Sequence, residues 1–335
     1  MVATIKDVAQ QAGVSTATVS HVVNGTRFVQ PATKERVLFS IRELGYESDG
    51  IARSLRLRAT FTLALIVPDL SNPFFPELAM AVQEAAVRSQ YDVVMCSVDV
   101  PRGNSAELLQ HHLRAIRRKR YDGVIFAESL APIATIRHQL VATGVPVVLI
   151  GGTPHQEADR VYIDDYAAAR DVMEYLIRKG HRIIGHITGA PNMASTSERL
   201  RGYRDALRSA GLGADADLEV PGTFLRDGGY AGMQRLLARV PRPTAVFAAN
   251  DLTAVGALSA SLDAGLRVPE DVAMVGFDDI ALAADLRPAL TTVYHGQREL
   301  GREAVRLVLS RLRERREGEP VTVILPHALV VRDSA

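Results

Sequence analysis

Cysteine is nearly missing: Cys96 is the single one in 335 residues. That excludes an internal disulfide and a thiolate metal cluster, and the setting "DVVMCSV" reads as a buried strand thiol. Charge of one sign is missing too. The 39 Lys and Arg against 38 Asp and Glu leave a formal +1, so bulk charge argues for neither nucleic acid nor membrane, and such a partner has to be read locally. No apolar run approaches the roughly 20 residues of a membrane helix, and the start lacks a basic segment, apolar run and cleavage site. The chain is therefore expected to be neither exported nor embedded, and to work in the cytoplasm. Catalytic signatures are absent as well: there is no HExxH, P-loop, GxSxG, metal-spaced Cys/His set or sequential GxGxxG, and the pair Gly151 and Gly152 is turn material. Catalysis, a cofactor and a metal are not expected. What is present, 47 % hydrophobic and 23 % charged residues, is ordinary for a globular chain with a large core, and the length points to two or three domains.

The first distinctive stretch is "TIKDVAQQAGVSTATVSHVVNG", Thr4 to Gly25. Ile5, Val8 and Ala9, then Val19, Val22 and Val23, repeat at helical spacing on either side of "AGVS", which gives two short helices and a tight turn. Gly13 permits the left-handed backbone that reverses the chain, small Ala9 allows close approach, and Val19 fills the angle. Thr4 can cap the first helix, and Ser15 or Thr16 the second. Such a helix-turn-helix would lay its second helix in a major groove, N-terminal side chains toward base edges; a plain helical hairpin is the alternative. "QPATKERVLFSIRELGY" supplies a third helix, with Pro31 at its start, Ala32 or Thr33 near the cap, Val37, Leu38, Ile41 and Leu44 on one face, and Gly45 as the stop. Residues 1 to 60 hold eight basic against five acidic side chains, a modest excess that suits DNA. In "SDGIARSLRLRAT", Arg53, Arg56 and Arg58 surround Leu55. A short basic helix with one protruding Leu is what a minor-groove wedge requires, although a solvated linker has the same composition.

Residues 4 to 58, through "TIKDVAQQAGVSTATVSHVVNG", "RFVQPATKERV", "ELGY" and "ARSL", closely resemble the headpiece and hinge of the LacI/GalR family of bacterial transcription regulators. The resemblance implies base contacts from Thr16, Ala17 and His21 on the recognition helix, from Arg27 in the following loop, and from an intercalating Leu55. It implies phosphate or positioning contacts from Thr4, Ser15, Ser20, Asn24, Tyr46 and Arg53, which fix register without reading sequence. Ala17 can offer only a methyl contact. "SHVVNGTRFV" is more similar to the purine-repressor branch than to the lactose branch.

From Phe61 onward, apolar runs alternate with helical stretches: "FTLALIVPD", "YDVVMCSV", "DGVIFAE", "VPVVLIG", then "RVYIDD", "RIIGHITG", "TAVFAAN" and "DVAMVGFDD". Strands of this kind belong to parallel sheets covered on both faces, and two sets imply two doubly wound lobes. The final "VTVILPHALVVRDS" is too little for a domain and should return to the earlier sheets, so that the chain crosses between lobes about three times. The expected fold class is thus α/β: a three-helix headpiece over 1–48, a hinge over 49–60, and a two-lobed sensor of periplasmic-binding-protein type over 61–335. Within the sensor, 61–162 and 293–318 would form one lobe, 163–291 and 320–332 the other.

A ligand of such a sensor sits at the carboxyl ends of the strands. Polar residues stand there: Asn72 with Phe74 in "DLSNPFF", Asp164 in "YIDD", Ser195 and Arg199 in "ASTSERLRGY", Asn250 and Asp251 in "AAND", and Asp278 in "GFDD". The resemblance makes Arg199 and Asp278 the usual pair for effector hydroxyls, and Phe74 or Phe224 can stack on an apolar sugar or base face. Phe224 can equally be core. Met193 stands where the purine-repressor pattern has an arginine, so a sugar or related polyol is expected before a purine. His295, in "TTVYHGQ", departs from the family's usual Gln-Pro pair. Two recognition helices call for a homodimer on a palindromic site; "ELAMAVQEAAV" and "LTAVGALSASL" are candidate faces for it, and the lack of a leucine heptad tail favours a dimer over a tetramer. The expected function is a repressor switched by a cleft ligand. The alternatives are a regulator whose corepressor is a phosphorylated carrier protein, a purine-type corepressor, and, remotely, a solute-binding or enzymatic α/β protein.

Overall fold

The computed structural model describes residues 3–24, 27–46, 59–98, 105–118, 120–127, 143–152, 158–191, 193–213, 215–314 and 318–335. The expected contacts from Arg53 and Leu55, and the side chain of Asn24, lie outside the described residues. The chain divides into two units, Met1–Thr60 and Phe61–Ala335.

In the first unit, α1 (Ile5–Ala12), α2 (Thr16–Asn24) and α3 (Pro31–Leu44) surround a small core of Val8, Ala9, Ala12, Val19 and Val37. Thr4 opens α1: its hydroxyl and backbone N–H donate to the Asp7 carboxylate at 2.7 and 2.8 Å, which holds that carboxyl below its usual range. Gly13 takes φ 64° at the reversal, as the turn requires. Ser15, not Thr16, caps α2, accepting from the Thr18 N–H at 3.1 Å. The cap position of α3 is Gln30, ahead of the expected Ala32 or Thr33, with Pro31 following it and Gly45 ending the helix at φ 59°.

The second unit contains a six-stranded parallel sheet and a four-stranded one. The larger is built from β1 (Thr62–Val67), β2 (Asp92–Ser97), β3 (Gly123–Ala127), β4 (Val147–Ile150), β5 (Asp159–Ile163) and β11 (Thr322–Leu325), in the order β11-β5-β4-β3-β1-β2. Alternation along β1 divides its side chains: Leu63, Leu65 and Val67 pack toward α4 (Phe74–Val87) and α11 (Gln297–Glu314), while Ala64 and Ile66 join Cys96, Leu113 and Ile116 on the opposite face, toward α5 (Ser105–Arg117). The smaller sheet has β6 (Ile184–Ile187), β7 (Glu219–Val220), β8 (Ala245–Ala248) and β9 (Ala273–Val275), in the order β7-β6-β8-β9. Ala245 and Phe247 face α6 (Asp165–Arg178) and α7 (Ala194–Ser209); Val246 and Ala248 face α8 (Arg226–Leu237) and α9 (Asp251–Asp263). α8 and α9 approach so closely that a Cβ on Gly256 would stand 1.9 Å from the Arg226 carbonyl oxygen.

The chain leaves the larger sheet after β5, returns to it in α11 and β11, and leaves again after Leu325. The short helix α10 (Ala281–Asp285) precedes β10 (Thr292–Tyr294), which pairs antiparallel with β12 (Ala328–Val330). The expected boundary at residue 320 is corrected: β11 pairs with β5 in the larger sheet, so the last crossing falls between Leu325 and Ala328. Arg311 of α11 fixes that geometry with a two-point contact on buried Asp159, at 2.7 and 2.6 Å, while the Val321 N–H donates to the same carboxylate at 2.8 Å.

His186 is buried in β6, its ring stacked on Tyr203 and Phe247 at 5.1 and 4.7 Å and its Nδ1 2.8 Å from the Phe247 carbonyl oxygen. Burial pulls its pKa from 6.5 down to about 4. Between those values the unfolded chain binds a proton that the folded protein refuses. Stability from this site is therefore complete above pH 6.5 and falls as pH drops toward 4, by up to about 3 kcal/mol. His186→Phe keeps the ring stack and should flatten the dependence of Tm on pH across this range; an unchanged slope would refute the assignment.

Candidate functional site

Two surfaces carry the residues singled out from the sequence. In the first unit, Thr16 and Ala17 stand exposed at the start of α2, and His21 follows on the same helix, half-buried. The positive end of the helix dipole lies at this terminus, where the Ser15 hydroxyl accepts from the Thr18 N–H. Thr4, Ser15 and Arg27 are exposed, Ser20 half-buried, and Tyr46 rests against the small core.

In the second unit, a cavity of about 970 Å³, counting its open mouth, lies at the carboxyl ends of both sheets. Ala127, Ile150 and Ile163, the last residues of β3, β4 and β5, line one side, and Ala190, Asn250 and Asp278, beyond β6, β8 and β9, the other. Of the nine residues singled out here, the cavity gathers Asn72, Phe74, Ser195, Arg199, Phe224, Asn250 and Asp278, and its described lining lacks Asp164 and Asp251.

Asp164 is not among the described lining residues. It is exposed and caps α6, accepting from the Ala167 N–H at 2.9 Å, and its neighbour Asp165 takes the place in the wall. Arg199 and Asp278 both stand in the wall, and each is held by partners of its own. Arg199 donates from Nε and Nη2 to one oxygen of Asp165, both at 2.8 Å, and from Nη1 to the Ala249 carbonyl at 2.5 Å, while its guanidinium lies 3.5 Å from the Phe277 ring centre. A buried guanidinium needs a carboxylate within reach, and the start of α6 supplies it.

Asp278 is bound elsewhere. Its Oδ1 lies 3.1 Å from His295 Nε2, and its carbonyl accepts from Gln297 Nε2. The backbone is in the left-handed region at both Asp278 (φ 116°) and Asp279 (φ 54°), a conformation that persists only where the surroundings hold it. Asp251 supplies that hold. Fully buried, it accepts from the Ile280 N–H at 2.9 Å and the Thr292 hydroxyl at 2.5 Å, and Arg332 clasps Asp279 at 2.7 Å. Burial, and then the charge of Asp278, push the Asp251 carboxyl well above its ordinary range. Gly276 leaves room for it, since a Cβ there would sit 2.2 Å from its oxygen.

Three lining residues have structural duties as well. Asn72 Oδ1 accepts from the Phe74 N–H at 3.0 Å. Asn250 caps α9 through the Thr253 N–H at 2.9 Å and donates from Nδ2 to the Phe224 carbonyl at 3.0 Å. Phe224, at φ 64°, lays its ring over Gly189, whose missing Cβ makes the space. Sequence reasoning missed Asp165, Tyr162 and Asp69 in the wall and noted Met193 and His295 without placing them. Their signal was proximity to a strand end, which many residues share. Among the described residues no group of three or more His, Cys, Asp or Glu is placed to hold a metal, and no helix is long and apolar enough to cross a membrane.

Comparison with known proteins places this arrangement. The profile described as "Bacterial regulatory proteins, lacI family" matches residues 4–49, and "Periplasmic binding protein-like domain" matches 173–335. The chain is 37 % identical to the HTH-type transcriptional repressor PurR of Pasteurella multocida, over 99 % of this chain and 98 % of that protein. It is also 37 % identical to the ribose operon repressor of Escherichia coli K12, over 92 % and 93 %. Among solved structures, a transcriptional regulator CelR in complex with cellobiose is 36 % identical with a TM-score of 0.76, covering 99 % of this chain and 100 % of that one. The lac repressor dimer bound to operator and the anti-inducer ONPF is 26 % identical with a TM-score of 0.88, covering 100 % and 99 %. The chain belongs to the lacI family of bacterial regulatory proteins.

The role given to Asp251 is testable by urea unfolding. Asp251→Ala strands two buried donors and should lower stability by about 2–4 kcal/mol, whereas Asp251→Asn, which keeps an acceptor, should cost under about 1 kcal/mol. Equal losses in the two variants would contradict the positioning role.

Proposed function

We propose that this transcriptional regulator is a homodimeric, cytoplasmic repressor that binds a palindromic operator and is controlled by a sugar in the cavity between its lobes. One observation carries the reading: the family's DNA-binding segment and a cavity at the strand ends, apolar over most of its wall with a few polar side chains set into it, occur in one chain. Thr16, Ala17, His21 and Arg27 are the proposed base readers with Leu55 as wedge; Thr4, Ser15, Ser20, Asn24, Tyr46 and Arg53 position the headpiece on phosphates. The exposed apolar side chains Met80 and Val87 of α4 and Val94 and Met95 of edge strand β2 support a dimer face.

In the cavity, Arg199 beside Asp165 and Asp278 offers donors and acceptors together, the pattern that vicinal hydroxyls match, with Phe74 and Phe224 as apolar walls. The cellobiose complex and the ribose operon repressor among the relatives agree with a sugar. A purine corepressor is the second reading, favoured by the PurR relatives; Met193 in the wall, at a position where the purine-repressor pattern has an arginine, speaks against it. The role is binding, not catalysis.

Selection of full-length protein on random duplex DNA should enrich inverted repeats, and His21→Ala should lose about 1–3 kcal/mol of discrimination at its base position. Enrichment of unsymmetrical sites, or an unchanged His21→Ala profile, would refute the DNA reading. A thermal-shift screen of sugars, nucleosides and purines should find a sugar that raises Tm by several degrees in the wild type and not in Arg199→Ala. Stabilisation by purines alone would favour the second reading.

A further inference from the structure

The cavity's hydrogen-bonding character follows from which atoms are already engaged. Arg199 has given Nε and Nη2 to Asp165 and Nη1 to Ala249, so its charge is met by a carboxylate before any ligand arrives. Both donations fall on Asp165 Oδ1, and Asp165 Oδ2 takes no bond from the described residues. Asp278 gives Oδ1 to His295, and its Oδ2 is likewise left by the described residues. Among the described lining residues, Asp69, Asp165 and Asp278 stand against one Arg.

His295 is held from three sides. Its ring stacks parallel on Phe74 at 4.7 Å, leans on Phe277 at 5.5 Å, and places Nε2 3.1 Å from the Asp278 carboxylate. A neutral imidazole that donates from Nε2 to a carboxylate keeps its lone pair on Nδ1. A glutamine in its place would offer an amide donor beside an acceptor; the imidazole offers an acceptor and a flat face.

We propose that His295 is a specificity residue of this cavity: its Nδ1, with the second oxygens of Asp165 and Asp278, forms an array of acceptors that takes the hydroxyls of an uncharged sugar and turns away the phosphorylated form. This rests on the sugar reading above. A hydroxyl donates and fits such an array. A phosphate dianion brings only acceptors and two negative charges to a wall whose carboxylates, among the described lining residues, outnumber its guanidinium, in a site where charges are weakly screened.

The test is calorimetry on the full-length protein with D-ribose, D-glucose and cellobiose, with ribose 5-phosphate and glucose 6-phosphate, and with hypoxanthine and guanine. A free sugar should bind, and ribose 5-phosphate or glucose 6-phosphate should bind at least 100-fold more weakly than the best free sugar. His295→Phe keeps the plate on Phe74 and should weaken the sugar at least tenfold with little change in the ligand-free Tm. A phosphorylated sugar binding as well as the free sugars would overturn the acceptor array while leaving the sugar reading in place. Wild-type affinity in His295→Phe would make the residue a packing plate and overturn its role. Binding of purines alone, or of no sugar at all, would overturn the sugar reading and this inference with it. The comparison of free and phosphorylated sugars needs no variant and stands even if His295→Phe fails to fold.

Discussion

A guanidinium taken out of water must find its partners inside the protein, and Arg199 finds them on three elements. The start of α6 gives Asp165, the end of β8 gives the Ala249 carbonyl, and the turn after β9 gives the Phe277 ring, while Arg199 itself belongs to α7. Removing one partner would leave a buried charge uncompensated, a defect of about 3–5 kcal/mol. These elements are therefore held to one arrangement, and one wall of the cavity is fixed with them. Asp251 acts similarly one step away, tying the start of α9 to the loop that carries Asp278 and to β10.

That arrangement places the cavity where the lobes share chain. His295 follows β10 as the chain returns to the larger sheet, and it touches both sides: Phe74 belongs to α4 of the first lobe, and Asp278 to the second. A ligand seated there contacts groups whose spacing depends on the angle between lobes. It can shift that angle only by its difference in affinity for the two arrangements, so the proposed control depends on contacts to both lobes rather than on tight binding alone. The Arg311 clasp on Asp159 ties α11 to β5 within the first lobe.

Much of this was legible in the sequence, for local reasons. Helical spacing around Gly13, the cap at Thr4 and the stop at Gly45 are decided within a few residues of chain, and the apolar runs marked the strands, although β2, at the sheet edge, is exposed over much of its length rather than covered on both faces. Neighbours in sequence were harder to tell apart. Asp164 and Asp165 both stand at the end of a strand, and which one caps the helix and which enters the wall depends on a half-turn of backbone. The Asp165 partner of Arg199 was not legible, because an ion pair across 34 residues is a tertiary fact. The left-handed backbone at Asp278 is imposed by Asp251 and Arg332 from distant parts of the chain, and β11 is too short for its pattern to say which sheet receives it.

The central claim is that occupancy of the cavity governs the grip on DNA. It is tested most directly by measuring the affinity of the full-length protein for its selected operator, at fixed salt, while titrating a sugar that binds the cavity. The account predicts a shift of at least tenfold that saturates with cavity occupancy and disappears in Arg199→Ala. An operator affinity that stays constant while the sugar fills the cavity would contradict it.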